Sequence, residues 1–451
     1  MFSLKYMEHK DILILGAGRS SSSLITYLLQ RAEQHHWTIT VGDISLTQAK
    51  DRIAGFAYGK AIEFNIDNKE ESRKVIQSNH LVVSLLPAHL HPIAASICLD
   101  EGKHFLTASY VSEEMKLFDE RAKQKNLLFL NECGLDPGID HMSGMQVIDK
   151  IKNQGGILTS FESFTGGLIA PDTDPQNPWR YKFTWNPRNV VMAGQGTAKF
   201  LQEGQFKFIP YQRLFAQTTP VVVPGFGDYE GYANRDSLKY LETYGLQGIK
   251  TMLRGTLRNK GFCNSWNILV QLGCCEDTYP MEGVSTLSHR DFLNSFLAYH
   301  PTDSVEEKIC KVFNLTPGSD TFAKLQWSGF FSDELIGISK GTPAQLLEHI
   351  LNKRWKLKPG DKDLIVMWHR FRFLKDGVQK EIQAHLIATG ENETNTAMAK
   401  TVGLPLAIAT KLLLEGKIKA RGVVLPVLKE IYDPVLKELQ EFNIRLVERE
   451  S

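Results

Sequence analysis

Nothing in this sequence approaches the roughly 20 continuous apolar residues of a membrane-crossing helix. The opening MFSLKYMEHK also lacks the apolar core of a signal peptide. Together these absences set the expectation of a cytoplasmic protein with no membrane partner. An excess of charge of one sign is missing too: 52 basic residues stand against 51 acidic ones, a net charge of +1. That balance gives nucleic acid or an anionic membrane no footing. Cysteine is scarce, with residues only at positions 98, 133, 263, 274, 275 and 310, none in a CxxC pair or at zinc-ligand spacing from histidines. Reduced, mostly buried thiols are expected, with no disulfide framework and no metal site. No internal repeat or low-complexity stretch is present.

What the sequence does contain is length and alternation. At 451 residues it exceeds what one hydrophobic core usually serves. Asp11 to Leu15 (DILIL) is a strand-like apolar run, GAGRSSS follows at once, and SLITYLLQRAEQ then reads as a helix. Gly16 and Gly18 allow the turn and the close backbone approach to a pyrophosphate, while the helix supplies unpaired N–H groups and a positive dipole end. Ser21 holds the third glycine position. A second strand, TITVGD, ends on Asp43, where a carboxylate binds the ribose 2′-OH and repels a 2′-phosphate, favouring NAD over NADP. Alternatively, Asp43 is a loop residue or the N-cap of the following SLTQAKDRI helix.

AIEFNI, HLVVSLLP, KHFLTAS and LLFLNE continue the βαβ order, which implies a parallel, doubly wound sheet. Ligands of such sheets sit beyond the carboxyl ends of the strands. Those ends read Ser84 to Pro87, Thr107 to Tyr110, and Asn131 to His141.

These strand ends, with the GAG turn, give the chain a family likeness. SLLPxxxHP (Ser84 to Pro92), TASYVS (Thr107 to Ser112), NECGLDPGIDHM (Asn131 to Met142), FTGGLIAPDTDPQNPWRYKFTW (Phe164 to Trp185), NRDS (Asn234 to Ser237) and RGTLR (Arg254 to Arg258) follow in order. The chain resembles the L-glutamate-forming saccharopine dehydrogenases. The resemblance is strong over about residues 10 to 275 and resumes in Ala399 to Ile418 and Gly422 to Leu439.

The resemblance implies a substrate that is a secondary amine joining the lysine ε-nitrogen to a glutamate backbone, with several carboxylates. Hydride leaves the ε-carbon, water adds to the imine, and glutamate departs from aminoadipate semialdehyde. It implies NAD, with NADP as the other choice, held by Gly16, Gly18, Arg19, Ser20, Ser21, Asp43, Ile44, Leu86, Ala108, Ser109, Leu135, Asp136 and Pro137. It also implies that Ser109, Tyr110, Asp136, Arg235, Thr256, Leu257 and Arg258 bind the substrate, with Tyr110 and Asp136 as the catalytic pair. Guanidinium groups suit carboxylates, and Arg254 is a weaker candidate than Arg235 or Arg258. Asp136, before Pro137-Gly138, is otherwise a turn residue whose oxygen serves the backbone. His91 and His141 are alternative acid–base groups or structural residues. Thr165 stands where the family often has Cys, which excludes a required cysteine nucleophile.

Past about residue 140, longer strands with Gly/Pro turns suggest an α+β domain. They include PVVVPGFGDYEGY and the hairpin-like DLIVMWHRFRF-LKDG-VQKEIQAHLIATG. The expected fold is α/β, with a Rossmann domain at 1–140, an α+β substrate domain at 141–395 and a segment at 396–451 returning to the Rossmann domain. Within the second domain, 290–360 is expected to be a helical insertion or dimer-contact subdomain of a homodimer. The late apolar helix starting at Ala397 should be buried, with Pro405 kinking or restarting it. Two rival readings are a carboxynorspermidine dehydrogenase-like polyamine enzyme, which the arginine motifs disfavour, and a non-catalytic NAD-binding protein.

Overall fold

A computed structural model describes residues 8–451. The chain divides into two compact units, the first running to Gln154 and joined by Thr394–Leu446, the second comprising Gly155–Glu393 with Val447–Ser451.

The first unit is a seven-stranded parallel sheet. Its strands are β1 (Lys10–Leu15), β2 (Trp37–Asp43), β3 (Gly59–Glu63), β4 (Leu81–Ser84), β5 (His104–Thr107) and β6 (Leu128–Leu130), plus Gly422–Val424 from the C-terminal segment. The short apolar runs are fully buried, Ile12 to Leu15 and Leu81 to Val83 at 0% exposure, as strands covered on both faces require. Helix α1 (Ser22–His35) buries Leu24, Ile25, Leu28, Leu29 and Ala32, one apolar stripe at helical spacing. Strand order runs Gly422–Val424, β6, β5, β4, β1, β2, β3. It reverses between β1 and β4, where a doubly wound sheet opens its ligand crevice.

The helix Ile139–Asn153 belongs to this unit and receives a 2.5 Å hydrogen bond at Asp149 from Tyr432 of the C-terminal segment. The division therefore falls after Gln154 instead of at 140. The C-terminal helix Ala397–Leu414 reaches a mean hydropathy of 1.4, enough by length and composition to cross a membrane, yet 78% of it is buried. A Cβ on its Gly403 would lie 2.8 Å from the Leu24 backbone nitrogen, so it packs against α1 at glycine distance. It runs through Pro405 as one helix, so of the two outcomes expected there, a kink or a restart, the restart is absent. Burial along its length supports it across the hydrogen bond that proline removes.

The second unit is built on a nine-stranded mixed sheet. Its centre is β7 (Ile157–Ile169), paired parallel with Thr251–Asn259 and antiparallel with Asp363–Lys375. The hairpin-like stretch forms Asp363–Lys375 and Val378–Thr389, and Val447–Glu450 joins its outer edge. The final strand thus leaves the first unit, which divides the 396–451 segment. Helices His289–Asn294, Val305–Phe313, Asp320–Trp327 and Pro343–Trp355 occupy about half of 290–360. Capping boxes start three of them, at Ser288, Ser304 and Thr342. Their Phe292, Ile309, Leu325, Ile350 and Trp355 share one core with Phe164 of β7, Trp179 of a turn and Trp266 of the helix Phe262–Leu272.

Candidate active site

In the first unit, the turn after β1 is shaped by two glycines with different duties. Gly16 has φ 103°, and a Cβ there would lie 2.9 Å from the Leu85 carbonyl oxygen at the end of β4. Only glycine fits. At Gly18 a Cβ would meet nothing within 4 Å, so the turn opens on a space that a ligand can approach. A short 3₁₀ turn, Arg19–Ser21, leads into α1, and neither Gly18 nor Ser21 caps a helix start with its side chain. Ser22 Oγ is buried there without a hydrogen-bond partner. An uncapped helix start with an orphaned hydroxyl beside an open turn fits a dinucleotide pyrophosphate.

The Asp43 carboxylate ties β2 to this turn. Its Oδ2 accepts from Ala17 N at 2.7 Å and its Oδ1 from Ser45 N at 2.8 Å. The N-cap of α2 (Leu46–Ile53) is Ser45, accepting from Gln48 N, so the capping alternative for Asp43 does not hold. Ile44 follows with 72% exposure, an apolar side chain left open past the end of β2.

Imidazole links the next two strand exits. His91 contacts Ser84 Oγ through Nδ1 at 2.9 Å and Ser109 Oγ through Nε2 at 2.7 Å. Burial pushes its pKa down to about 4, so it is neutral at physiological pH and holds β4 against β5. This geometry suits positioning better than proton exchange.

The exits of β5 and β6 carry the reacting candidates. Tyr110 donates to Asp136 Oδ1 at 3.1 Å. The turn's backbone is served by a different carboxylate, Asp140, whose Oδ1 accepts from Gly138 N at 2.7 Å. Gly138 has φ 148°, and a Cβ there would fall 2.1 Å from the Gly134 carbonyl oxygen. Leu135 and Pro137 flank Asp136 within this turn. Behind it lies Glu132, 1% exposed, which accepts from Val111 N at 3.0 Å and contacts His141 Nε2 at 2.8 Å. His141 is wholly buried, with Asp140 at 3.8 Å from its other nitrogen. Glu132 and Asp140 therefore tie down the backbone next to Tyr110 and Asp136, at Val111 and Gly138, a duty that nothing local in the sequence signals.

In the second unit, strand alternation sets Arg254, Thr256 and Arg258 on one face of Thr251–Asn259, with Leu257 on the other. Arg258 is 4% exposed and lies among the rings of Tyr181, Phe262 and Tyr232, at 5.0, 5.3 and 5.9 Å from their centroids. Its Nη1 donates to Leu257 O at 2.9 Å, and its Nε has no partner. Its cross-strand neighbour is Glu230, whose Oε1 instead accepts from Cys263 N at 2.6 Å. Arg254 is equally buried, with Cζ 4.4 Å from the Tyr240 centroid. Arg235 is exposed at φ 52°, and its neighbour Asn234 donates to Arg254 O at 2.9 Å. The NRD turn is thus stitched to the strand at Arg254. Thr165, paired in register with Thr256, is buried with an unpartnered hydroxyl. Among the described residues no cluster of three His, Cys, Asp or Glu could hold a metal.

Two family models match: the saccharopine dehydrogenase NADP binding domain over residues 12–130 and the saccharopine dehydrogenase C-terminal domain over 134–444. The chain is 34% identical over 449 residues to the mitochondrial alpha-aminoadipic semialdehyde synthase of Rattus norvegicus, covering 98% of this chain and 48% of that protein. It is 31% identical to the saccharopine dehydrogenase [NADP(+), L-glutamate-forming] of Saccharomyces cerevisiae, covering 98% of this chain and 99% of that one. The apo structure of the histidine-tagged L-Glu-forming saccharopine dehydrogenase from Saccharomyces cerevisiae aligns with a TM-score of 0.87 at 30% identity, over 98% of this chain and 100% of that one. The chain spans about half the length of the animal relatives it matches.

Proposed function

This chain belongs to the saccharopine dehydrogenase family, and from that premise we propose that it oxidises saccharopine with a nicotinamide cofactor, releasing L-glutamate and 2-aminoadipate 6-semialdehyde. The observation that carries the reading is Arg258: a buried guanidinium with no carboxylate partner among the described residues. A buried charge left unpaired is costly, and a carboxylate ligand would complete it. A polycationic substrate would instead be repelled there, which sets this reading above the polyamine one.

The roles divide by residue. Arg258, with Arg235 and Thr256, takes substrate carboxylates. Asp136 and Tyr110, already hydrogen-bonded to each other, exchange protons with the substrate amine and with the water adduct that follows. Gly16, Gly18, Ser20, Ser21 and the start of α1 hold the cofactor's pyrophosphate, and Asp43 its adenosine ribose. When bound, the nicotinamide accepts the hydride from the lysine ε-carbon. The fungal relatives are named for NADP(+), whereas the carboxylate of Asp43 favours the unphosphorylated ribose of NAD.

An assay at the reduced-nicotinamide absorbance band, with saccharopine and either cofactor, tests the proposal. Saccharopine-dependent reduction supports it. Cofactor and saccharopine binding without turnover would instead identify a binding protein.

A further inference from the structure

We infer that Arg52 is the residue that admits a 2′-phosphate, so that this chain takes NADP alongside NAD. The inference rests on the nicotinamide-binding reading above and concerns a side chain that none of the sequence motifs contains.

The peptide of Ala17, in the glycine turn, is gripped from two sides by opposite charges. Asp43 at the end of β2 takes its N–H at 2.7 Å. Arg52, near the end of α2, donates from Nε to Ala17 O at 3.1 Å and from Nη2 to Gly18 O at 3.1 Å. Asp43 reaches this peptide from the end of β2 and Arg52 from the last turn of α2, so the guanidinium lies against the same peptide as the carboxylate that marks the adenosine ribose side of a dinucleotide site.

The two charges are not equivalent. Asp43 has each oxygen engaged by a backbone N–H, from Ala17 and Ser45. Arg52 rests on neutral carbonyl oxygens and has no ion pair with any carboxylate among the described residues. Half-buried against the turn, it has a pKa lowered by that burial, with Asp51 working in the opposite sense. Two of its five N–H donors are in use, which leaves a planar cation with three further donors. A guanidinium that only braced a turn would gain nothing from staying unpaired. Beside a ribose whose 2′-phosphate is dianionic or nearly so, the same cation offsets the repulsion from Asp43.

Binding of nucleotide fragments by the purified full-length chain tests this without turnover. Titration calorimetry compares 2′,5′-ADP with 5′-AMP for the wild type, Arg52→Ala, Arg52→Lys and Arg19→Ala, the last removing the other cation of the turn. Wild type should bind both. Arg52→Ala should lose about 10- to 100-fold in affinity for 2′,5′-ADP, the scale of a charge-assisted contact, and less than about threefold for 5′-AMP. Arg52→Lys should recover part of the loss, and it serves in place of the alanine variant should that one fail to fold, by losing 2′,5′-ADP affinity selectively. Equal losses for both ligands would show that Arg52 is a turn clamp, and a selective loss that follows Arg19→Ala would move the role there; either result overturns the inference. A wild type that binds 5′-AMP but not 2′,5′-ADP overturns it while the nicotinamide reading stands. A wild type that binds neither overturns both.

Discussion

Tyr110 and Asp136, 26 positions apart, meet in a hydrogen bond of 3.1 Å from the phenol to Oδ1. The bond places a donor and an acceptor of very different acidity side by side at the exits of β5 and β6. In the proposed reaction this pair moves protons to and from the substrate nitrogen, so their losses should not add. Asp136→Asn and Tyr110→Phe should each lower kcat by roughly 10²- to 10⁴-fold, the usual range for a general acid or base. The double variant should be little worse than the poorer single one. Additive losses, or an unchanged pH profile in Asp136→Asn, would assign the proton to another group.

Arg258→Ala should reduce kcat/KM for saccharopine by about 10- to 100-fold, the equivalent of roughly 1.5–3 kcal/mol. Cofactor affinity should stay near wild type. Arg258→Lys keeps the charge but not the planar fork, so it should recover only part of the activity. Equal damage to both ligands would point to a folding role inside the ring of Tyr181, Tyr232 and Phe262.

Asp43→Ser should shift the ratio of kcat/KM for NADP over NAD upward by about tenfold or more, since it removes the carboxylate that repels a 2′-phosphate. The Ala17 N–H contact goes with it, so both cofactors should weaken somewhat while the ratio still moves toward NADP. A ratio that stays fixed would leave Asp43 as a turn brace alone.

Burial lowers His91 from 6.5 to about 4, and the sign of the linkage follows. The folded state holds the neutral imidazole and the unfolded state binds its proton first, so the stabilisation is complete above pH 6.5 and fades as pH falls toward 4. The full effect is roughly 3 kcal/mol. Urea midpoints measured across that window should fall with acidification, and His91→Gln should flatten the fall. An equally steep acid limb in the variant would assign it to other groups, with His104, also lowered to about 4 by burial, the first to examine.

How much of this was legible in the sequence depends on the range of the interaction. The glycine turn and Asp43 could be read because their chemistry lies within one βαβ unit, where spacing alone fixes which residues meet. The carboxylate Glu132 could not, because its partners Val111 and His141 come from separate strand and helix ends. The surroundings of Arg254 were hidden for a similar reason: its position on the same strand face as Arg258 is visible in the spacing, but its burial against Tyr240 arises only in the folded sheet. At Pro405 local propensity argues for a kink or a restart, and the buried surroundings of the helix Ala397–Leu414 spare it the restart. Arg52 carried no motif at all, and only its two contacts with the turn give it meaning.

The most direct test of the proposed reaction follows one atom. Saccharopine deuterated at the lysine ε-carbon is incubated with the enzyme and its cofactor, and the products are analysed by mass spectrometry. Deuterium should appear in the reduced nicotinamide, with unlabelled glutamate and a semialdehyde that retains the second label. Unlabelled reduced cofactor, with lysine and a 2-oxo acid as products, would place oxidation at the glutamate α-carbon and contradict it.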